Sequence, residues 1–332
     1  MSDPMPFDAF QTFVARHREF LVSSHVDPDG DALGSCLGLA HALRRIGKTA
    51  DVVLDQLLPA ALRFLPGAES VRSAAEVSRR YEAAFILDCA SLERTGAVAG
   101  RCLAPGAEVA VIDHHWGNES FGDPRLVNPE ASATAELVYE LIESLDIPIS
   151  EETAECLYAG ILSDTGGFRY ANTSPRSLRI AARLVERGAR AARVAEALYA
   201  TRTAPSLRIL GLALASLETR SGGAVGAMTI SREMFARAGA TPEDADGIVQ
   251  YAKSLAGARV GVLIQEVGAQ DIRASLRSDG TVDVNEVASR FGGGGHRNAA
   301  GLRVRGDLEE VRAKLFAALD QAMNGGPPPS RG

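Results

Sequence analysis

The chain has 332 residues, 46% hydrophobic and 23% charged, with a formal net charge of −7. That length suits two domains with ordinary packed cores. The acidic balance argues against long duplex nucleic acid as a partner, because such binding rests on basic surfaces and counterion release. A short anionic substrate stays admissible, since bound cations can invert the local charge. The N-terminus lacks a basic-then-apolar signal pattern, and no apolar run approaches a membrane span. Cys36, Cys89, Cys102 and Cys156 form no C-x-x-C pair and read as buried thiols of a reducing compartment. A soluble cytoplasmic protein with no membrane partner is expected.

In chain order, Phe20–His25 reads as a strand and Asp31–Ile46 as a helix closed by Gly47. Thr49–Leu54, Ala83–Asp88 and Glu108–Asp113 read as buried strands, the last two being apolar runs that end in an aspartate. Helical patterns cover Ser132–Leu145 and Ser150–Leu162, and Ser174-Pro175 opens a helix ending near Gly188. This alternation predicts an α/β fold, a mostly parallel sheet flanked by helices, over residues 1–189. Residues 190–220 read as a helical linker. A smaller C-terminal α/β domain is expected over 221–323, after the Ser221-Gly222-Gly223 turn. Its strands are Val225–Ile230, Arg259–Val267 and Ile272–Leu276. Thr241-Pro242 opens a helix between the first two, and Asp307 with Glu310 caps a last one. The Gly/Pro-rich tail, 324–332, is expected to be disordered.

Four sites combine acids and imidazoles at element ends, where the ligand crevice of an open α/β sheet lies. The tight Pro-Asp-Gly turn at 28–30 lets His25, Asp29 and Asp31 converge. Asp88 ends an apolar strand, where a carboxylate needs a partner, a cap or a metal. Asp113-His114-His115 ends the next such strand. Asp164 ends a helix, where the dipole favours cations and a carboxylate needs another reason to be. Singly, each could be a cap or a solvated turn. Together, His25, Asp29, Asp31, Asp88, His114 and Asp164 offer six imidazole and carboxylate ligands, enough for two divalent ions of the manganese, magnesium or iron type. Downstream, Gly292–Gly295 and His296 form a glycine run whose amides could approach an anion closely. Arg277-Ser278 ends a strand upstream of it.

These residues resemble the DHH phosphoesterase family, through Asp-Gly-Asp at 29–31, Asp88, Asp-His-His at 113–115 and Ser-Asp-Thr at 163–165. The Gly-Gly-Gly-Gly-His and Ala-Ala-Gly run is similar to that family's associated C-terminal domain. The pattern is most similar to the subgroup of nanoRNases and 3′-phosphoadenosine-5′-phosphate phosphatases. The resemblance implies two metal ions, manganese as a rule. His25 and Asp29 would hold one, Asp31, His114 and Asp164 the other, with Asp88 bridging. Asp113 would orient His114, and His115 would contact the scissile phosphate. Arg277, Ser278, Gly293, Gly294, Gly295 and His296 would hold the rest of a short RNA or nucleotide substrate, with Arg169 a weaker phosphate contact. A soluble phosphodiesterase of cyclic or linear dinucleotides, or a non-catalytic nucleotide sensor on the same fold, are the alternatives. The oligomeric state, a homodimer included, is left open.

Overall fold

Short β-rich apolar runs alternate with amphipathic helices through the first two hundred residues, and this pattern builds a parallel sheet between helical layers. The computed structural model describes residues 7–56 and 58–324. The chain divides into two compact units between Thr201 and Arg202.

The first unit runs α1 (Phe7–Arg16), β1 (Glu19–Ser23), α2 (Gly30–Arg45), β2 (Thr49–Leu54), β3 (Arg72–Ser73), β4 (Tyr81–Leu87), α3 (Ala97–Cys102), β5 (Leu103–Asp113), β6 (Arg125–Val127), α4 (Thr134–Ser144), α5 (Glu151–Asp164), α6 (Pro175–Glu186) and α7 (Ala191–Ala195), with a π turn at Glu196–Ala200. Its strands pair in the order β3-β2-β1-β4-β5-β6, every pair parallel. The order reverses between β1 and β4, so their carboxyl ends frame the crevice where such sheets bind ligands. Side chains alternate between two cores. Phe20, Val22, Phe85 and Leu87 pack with α1, α2, α4 and α5, whereas Leu21, Val53 and Ala84 pack against Val98 and Cys102 of α3.

Antiparallel contact of α2 with α5 sets the approach of two acids. Gly30, Gly34 and Gly38 recur every fourth residue along one face of α2 and meet Ser163, Gly160 and Leu157 of α5. A Cβ at Gly34 would lie 2.5 Å from the Cys156 carbonyl oxygen, and one at Gly160 2.8 Å from Asp31 Oδ1. Only hydrogen fits there, and the close packing brings the start of α2, Asp31, beside the end of α5, Asp164.

The second unit runs α8 (Ala204–Ala215), β7 (Glu218–Arg220), β8 (Val225–Ile230), α9 (Arg232–Ala238), α10 (Val249–Lys253), β9 (Val260–Gly268), β10 (Asp271–Ser278), α11 (Val284–Ser289), β11 (Gly294–His296), β12 (Ala299–Arg305) and α12 (Leu308–Asn324). Its sheet has the order β11-β12-β10-β9-β8-β7, parallel at β8–β9 and antiparallel in its other pairs. One face packs on α11 and α12, the other on α8, α9 and α10.

Several elements differ from the sequence expectation. The stretch 190–220 is not one helical connector: α8 contributes Ile209 and Ala213 to the core of the second unit, and 218–220 is a strand. Thr241-Pro242 opens a 3-10 turn, Pro242–Ala245, because Asp246 returns to extended backbone. The glycine run joins the sheet as β11 instead of forming a free loop. The last helix continues through Asn324, and the expected disordered tail beyond it lies outside the described residues. All four cysteines are buried and unpaired. Among the described residues no helix is long and apolar enough to cross a membrane.

Candidate two-metal site

Three adjacent strands, β1, β4 and β5, deliver side chains from their carboxyl ends. β1 ends at Ser23, and His25 follows with its Nδ1–H donating to the Val26 carbonyl at 2.6 Å. That bond fixes the tautomer and turns Nε2 toward Asp88 Oδ2, 3.5 Å away. β4 delivers Asp88, 2% exposed, with φ at +51°. A left-handed conformation is uncommon outside glycine, asparagine and aspartate, and here it turns the carboxylate into the crevice. β5 delivers Asp113, His114 and His115. The Nδ1–H of His114 donates to the Ala131 carbonyl at 3.1 Å, leaving Nε2 at 3.4 Å from Asp164 Oδ2, 3.5 Å from Asp88 Oδ1 and 3.9 Å from Asp31 Oδ2.

Helix termini supply the remaining acids. Asp29 is the N-cap of α2, and its Oδ1 accepts from the Asp31 and Ala32 amides. The capping role and membership of the cluster therefore coexist in one side chain. Asp31 is fully buried and accepts from the Thr134 amide at 2.6 Å and the Ala135 amide at 3.0 Å, at the start of α4. The positive end of that helix offsets part of its charge. The Thr134 hydroxyl also donates to Asp88 Oδ1 at 3.0 Å. Asp164 ends α5, and the close contact of that helix with α2 sets it beside Asp31.

Two adjacent triads result. His25, Asp29 and Asp88 present ligand atoms within 4.8 Å of one another, and so do Asp31, His114 and Asp164. Asp88 also groups with His114 and His115 in the same way, so it touches both halves. The electrostatics asks for cations. Burial, then Asp88 and Asp164, holds the Asp31 carboxyl well above the usual carboxylate range. Burial, opposed by His114 and reinforced by Asp29 and Asp88, pushes Asp164 up to about 7. Burial would lower His25 and His114, but the acids overcome it: Asp88 and Asp29 raise His25 to about 9, and Asp164, Asp88 and Asp31 raise His114 to about 10. Asp88 itself is held low, its burial outweighed by His25, His114 and His115. Four acids share too little positive charge. The donor set of imidazoles and carboxylates, without a thiolate, fits two divalent ions of the manganese, magnesium or iron class.

The sequence reading placed Asp113 behind His114, and this is corrected. Asp113 Oδ1 accepts from His115 Nδ1 at 2.7 Å and from the His115 amide at 3.2 Å, because the turn after β5 brings that imidazole back over the carboxylate. His114 is held by a backbone carbonyl instead. Sequence reasoning missed Asn118, which donates to Asp113 Oδ2 at 2.8 Å, and Thr134 with Ala135; Thr134 lies 103 residues beyond Asp31. Arg169 lies just past α5, its Nε donating to the Gly166 carbonyl at 2.6 Å and its guanidinium over the Tyr199 ring.

The other expected substrate residues lie in the second unit. Register places Arg277 opposite Ala299 and Ala299 opposite His296, so the three share neighbouring strands. Ser278 Oγ accepts from the Gly280 amide. A Cβ at Gly293 would lie 2.3 Å from the Gly301 oxygen, and one at Gly295 2.4 Å from the Ala299 oxygen. Strand packing alone therefore demands glycine at both positions, a reason the anion-loop reading did not contain.

A parallel sheet with paired acid and imidazole triads at its switch point defines a metal-dependent hydrolase class of site. Residues 19–161 match the DHH family N-terminal domain and residues 224–325 the DHHA1 domain. The chain is 35% identical over 303 residues to a protein of Thermus thermophilus named bifunctional oligoribonuclease and PAP phosphatase NrnA, covering 91% of this chain and 89% of that one. It is 28% identical over 296 residues to the Bacillus subtilis protein of the same name, covering 88% and 91%. A crystal structure of an exopolyphosphatase-related protein from Bacteroides fragilis superposes with a TM-score of 0.91 at 28% identity, covering 98% of this chain and 99% of that one. The chain belongs to the DHH family.

Proposed function

We propose that this protein is a two-metal phosphoesterase that hydrolyses short oligoribonucleotides and removes phosphate from 3′-phosphoadenosine-5′-phosphate, with manganese as its metal. One observation carries the chemistry: the triads His25, Asp29, Asp88 and Asp31, His114, Asp164 stand side by side at the carboxyl ends of the sheet, with Asp88 of the first also grouping with His114 of the second. The substrates rest on likeness to the Thermus and Bacillus proteins whose names state them.

His25, Asp29 and Asp88 would hold one ion, and Asp31, His114 and Asp164 the other, with Asp88 between them. Bound there, two divalent cations would neutralise charge on the attacking and leaving oxygens and acidify water. Asp113, clamped by Asn118, holds His115 by Nδ1, and this orients the imidazole that would steady a non-bridging phosphate oxygen or protonate the leaving group. Thr134 and the first turn of α4 hold Asp88 and Asp31 in place, so the ligands are fixed before any ion arrives. The first unit is thus the catalytic domain in this reading. The second would bind the remainder of the substrate through Arg277, Ser278, the 293–295 glycines and His296, with Arg169 of the first unit contributing. The buried, unpaired cysteines support a cytoplasmic setting.

The test is a substrate panel on chelated and manganese-loaded protein. Dinucleotide and 3′-phosphoadenosine-5′-phosphate should turn over only with metal, and faster than cyclic dinucleotides or pyrophosphate. Full turnover after exhaustive chelation, with metal content checked, overturns the mechanism. Binding of nucleotides without any turnover would favour a sensor.

A further inference from the structure

Trp116 is the chain's one tryptophan, and it is 80% exposed. The next most exposed large apolar side chain among the described residues is Leu207, at 55%. An indole left in water gives up a large share of the stabilisation that burial would supply. Small polar residues would serve a plain turn equally well.

This turn is held at both sides of the indole. On one side, His115 is bonded through its amide and Nδ1 to Asp113 Oδ1. On the other, Asn118 donates to Asp113 Oδ2 and to the Cys89 carbonyl, and the Glu119 amide donates to the Ala90 carbonyl. Gly117, at φ +82°, makes the bend between them. The backbone of Trp116 is therefore bracketed by two residues that grip one buried carboxylate. None of those bonds uses its side chain. The loop holds a flat aromatic ring in water, one residue from the histidine assigned to the scissile phosphate.

Resting on the two-metal phosphoesterase reading above, we propose that Trp116 is the stacking platform for the nucleobase of the nucleotide whose phosphate is cleaved. A nucleoside's base lies one sugar away from its phosphate, and Trp116 lies one residue away from His115. Every base has a flat face, so stacking selects nucleotides over sugar phosphates without choosing a sequence. Phosphate contacts alone cannot make that choice. The ring is a specificity determinant and takes no part in proton transfer.

Because Trp116 is the chain's single tryptophan, its emission reports the contact directly. The experiment titrates full-length, metal-loaded protein with adenosine 5′-monophosphate, then with ribose 5-phosphate, which shares the phosphate and sugar but has no base. The nucleotide should quench the emission saturably, and ribose 5-phosphate should leave it nearly unchanged. Trp116→Ala should raise KM for a dinucleotide roughly 10- to 100-fold, the loss expected for one stacked base, with a much smaller change in kcat. Trp116→Phe should recover most of that loss. Equal responses to both ligands, or a dinucleotide KM that Trp116→Ala does not move, overturns the proposal while leaving the phosphoesterase reading intact. Emission that follows protein concentration and ignores nucleotide would place the ring against a second copy of the chain and overturn it as well. Failure of the phosphoesterase reading would look different, as absence of dinucleotide turnover in the parent protein.

Discussion

In the proposed mechanism Asp88 concentrates the chemistry of the site in one residue, and its backbone decides how it can be tested. It sits at φ +51°, is almost fully buried, and faces His25, His114, His115 and the Thr134 hydroxyl. Alanine in a left-handed conformation adds backbone strain of about 1–2 kcal/mol, which mixes a folding defect with the loss of a ligand. Asparagine tolerates that conformation and keeps the shape of the side chain. Asp88→Asn is therefore expected to melt near the parent temperature, to bind fewer than two ions, and to lose at least about 10³-fold in kcat, or about 4 kcal/mol of transition-state stabilisation. Thermal melting, metal analysis and single-turnover rates check the three parts. Two bound ions and near-normal turnover would reduce Asp88 to a structural acid. At this scale much of the site could be read beforehand. Its ligands fall in short strings, Asp29-Gly30-Asp31 and Asp113-His114-His115, at the ends of apolar runs. The supports could not. Whether Asp113 reaches His114 or His115 depends on the turn after β5, and the amides that hold Asp31 come from a helix more than a hundred residues away.

At the scale of elements, the glycine ladder of α2 does the positioning. Gly30, Gly34 and Gly38 let α5 approach until the Cys156 carbonyl and the backbone of Gly160 fill the space of a side chain. A methyl at Gly34 meets main chain, which cannot swing aside. Gly34→Ala gains up to about 1 kcal/mol of helix propensity and incurs about 1–3 kcal/mol or more of overpacking, so overpacking should win. The variant should unfold at lower denaturant and bind metal more weakly, because separating the helices moves Asp31 from Asp164. Gly100→Ala is the control: a Cβ there meets nothing within 4 Å, and it should leave stability unchanged or raise it by up to about 1 kcal/mol. Equal effects from the two substitutions would refute the packing argument. The four-residue spacing of these glycines stands in the sequence, but the expectation of a helix over 31–46 drew no contact from it, whereas the helices expected over 132–145 and 150–162 were legible. The helix α9, the short strands β3 and β6 and the placement of α8 were not. β3 and β6 are too short to show a period, and α8 reads as a connector until its apolar face is seen against β8 and β9.

In the proposed reading the whole molecule separates its tasks along the chain. All six expected ligands, with Asp113, His115 and Asn118, lie before Thr201, and the cores around the parallel sheet are built from residues of that same unit. The second unit has its own sheet and its own cores on both faces. Two hundred residues are ample for an independent hydrophobic core. A fragment ending at Thr201 is therefore expected to fold cooperatively and to take up two manganese ions with affinity close to that of the full chain. The groups proposed to grip the rest of the substrate, Arg277, Ser278, the 293–295 glycines and His296, would be missing. Binding energy from remote parts of a substrate serves to orient its reacting bond, so the fragment should lose kcat/KM for dinucleotides by about 10²-fold or more, a loss of about 2.7 kcal/mol. A small aryl phosphodiester, which needs little beyond the metals, should be cleaved nearly as well as by the full chain. Denaturant unfolding, metal titration and the two rate measurements together decide the matter. If the folded, metal-loaded fragment cleaves dinucleotides at the full-chain rate, the second unit has no part in holding the substrate. If both substrates fall equally, the unit supports the metal site and its role as a binding domain is lost.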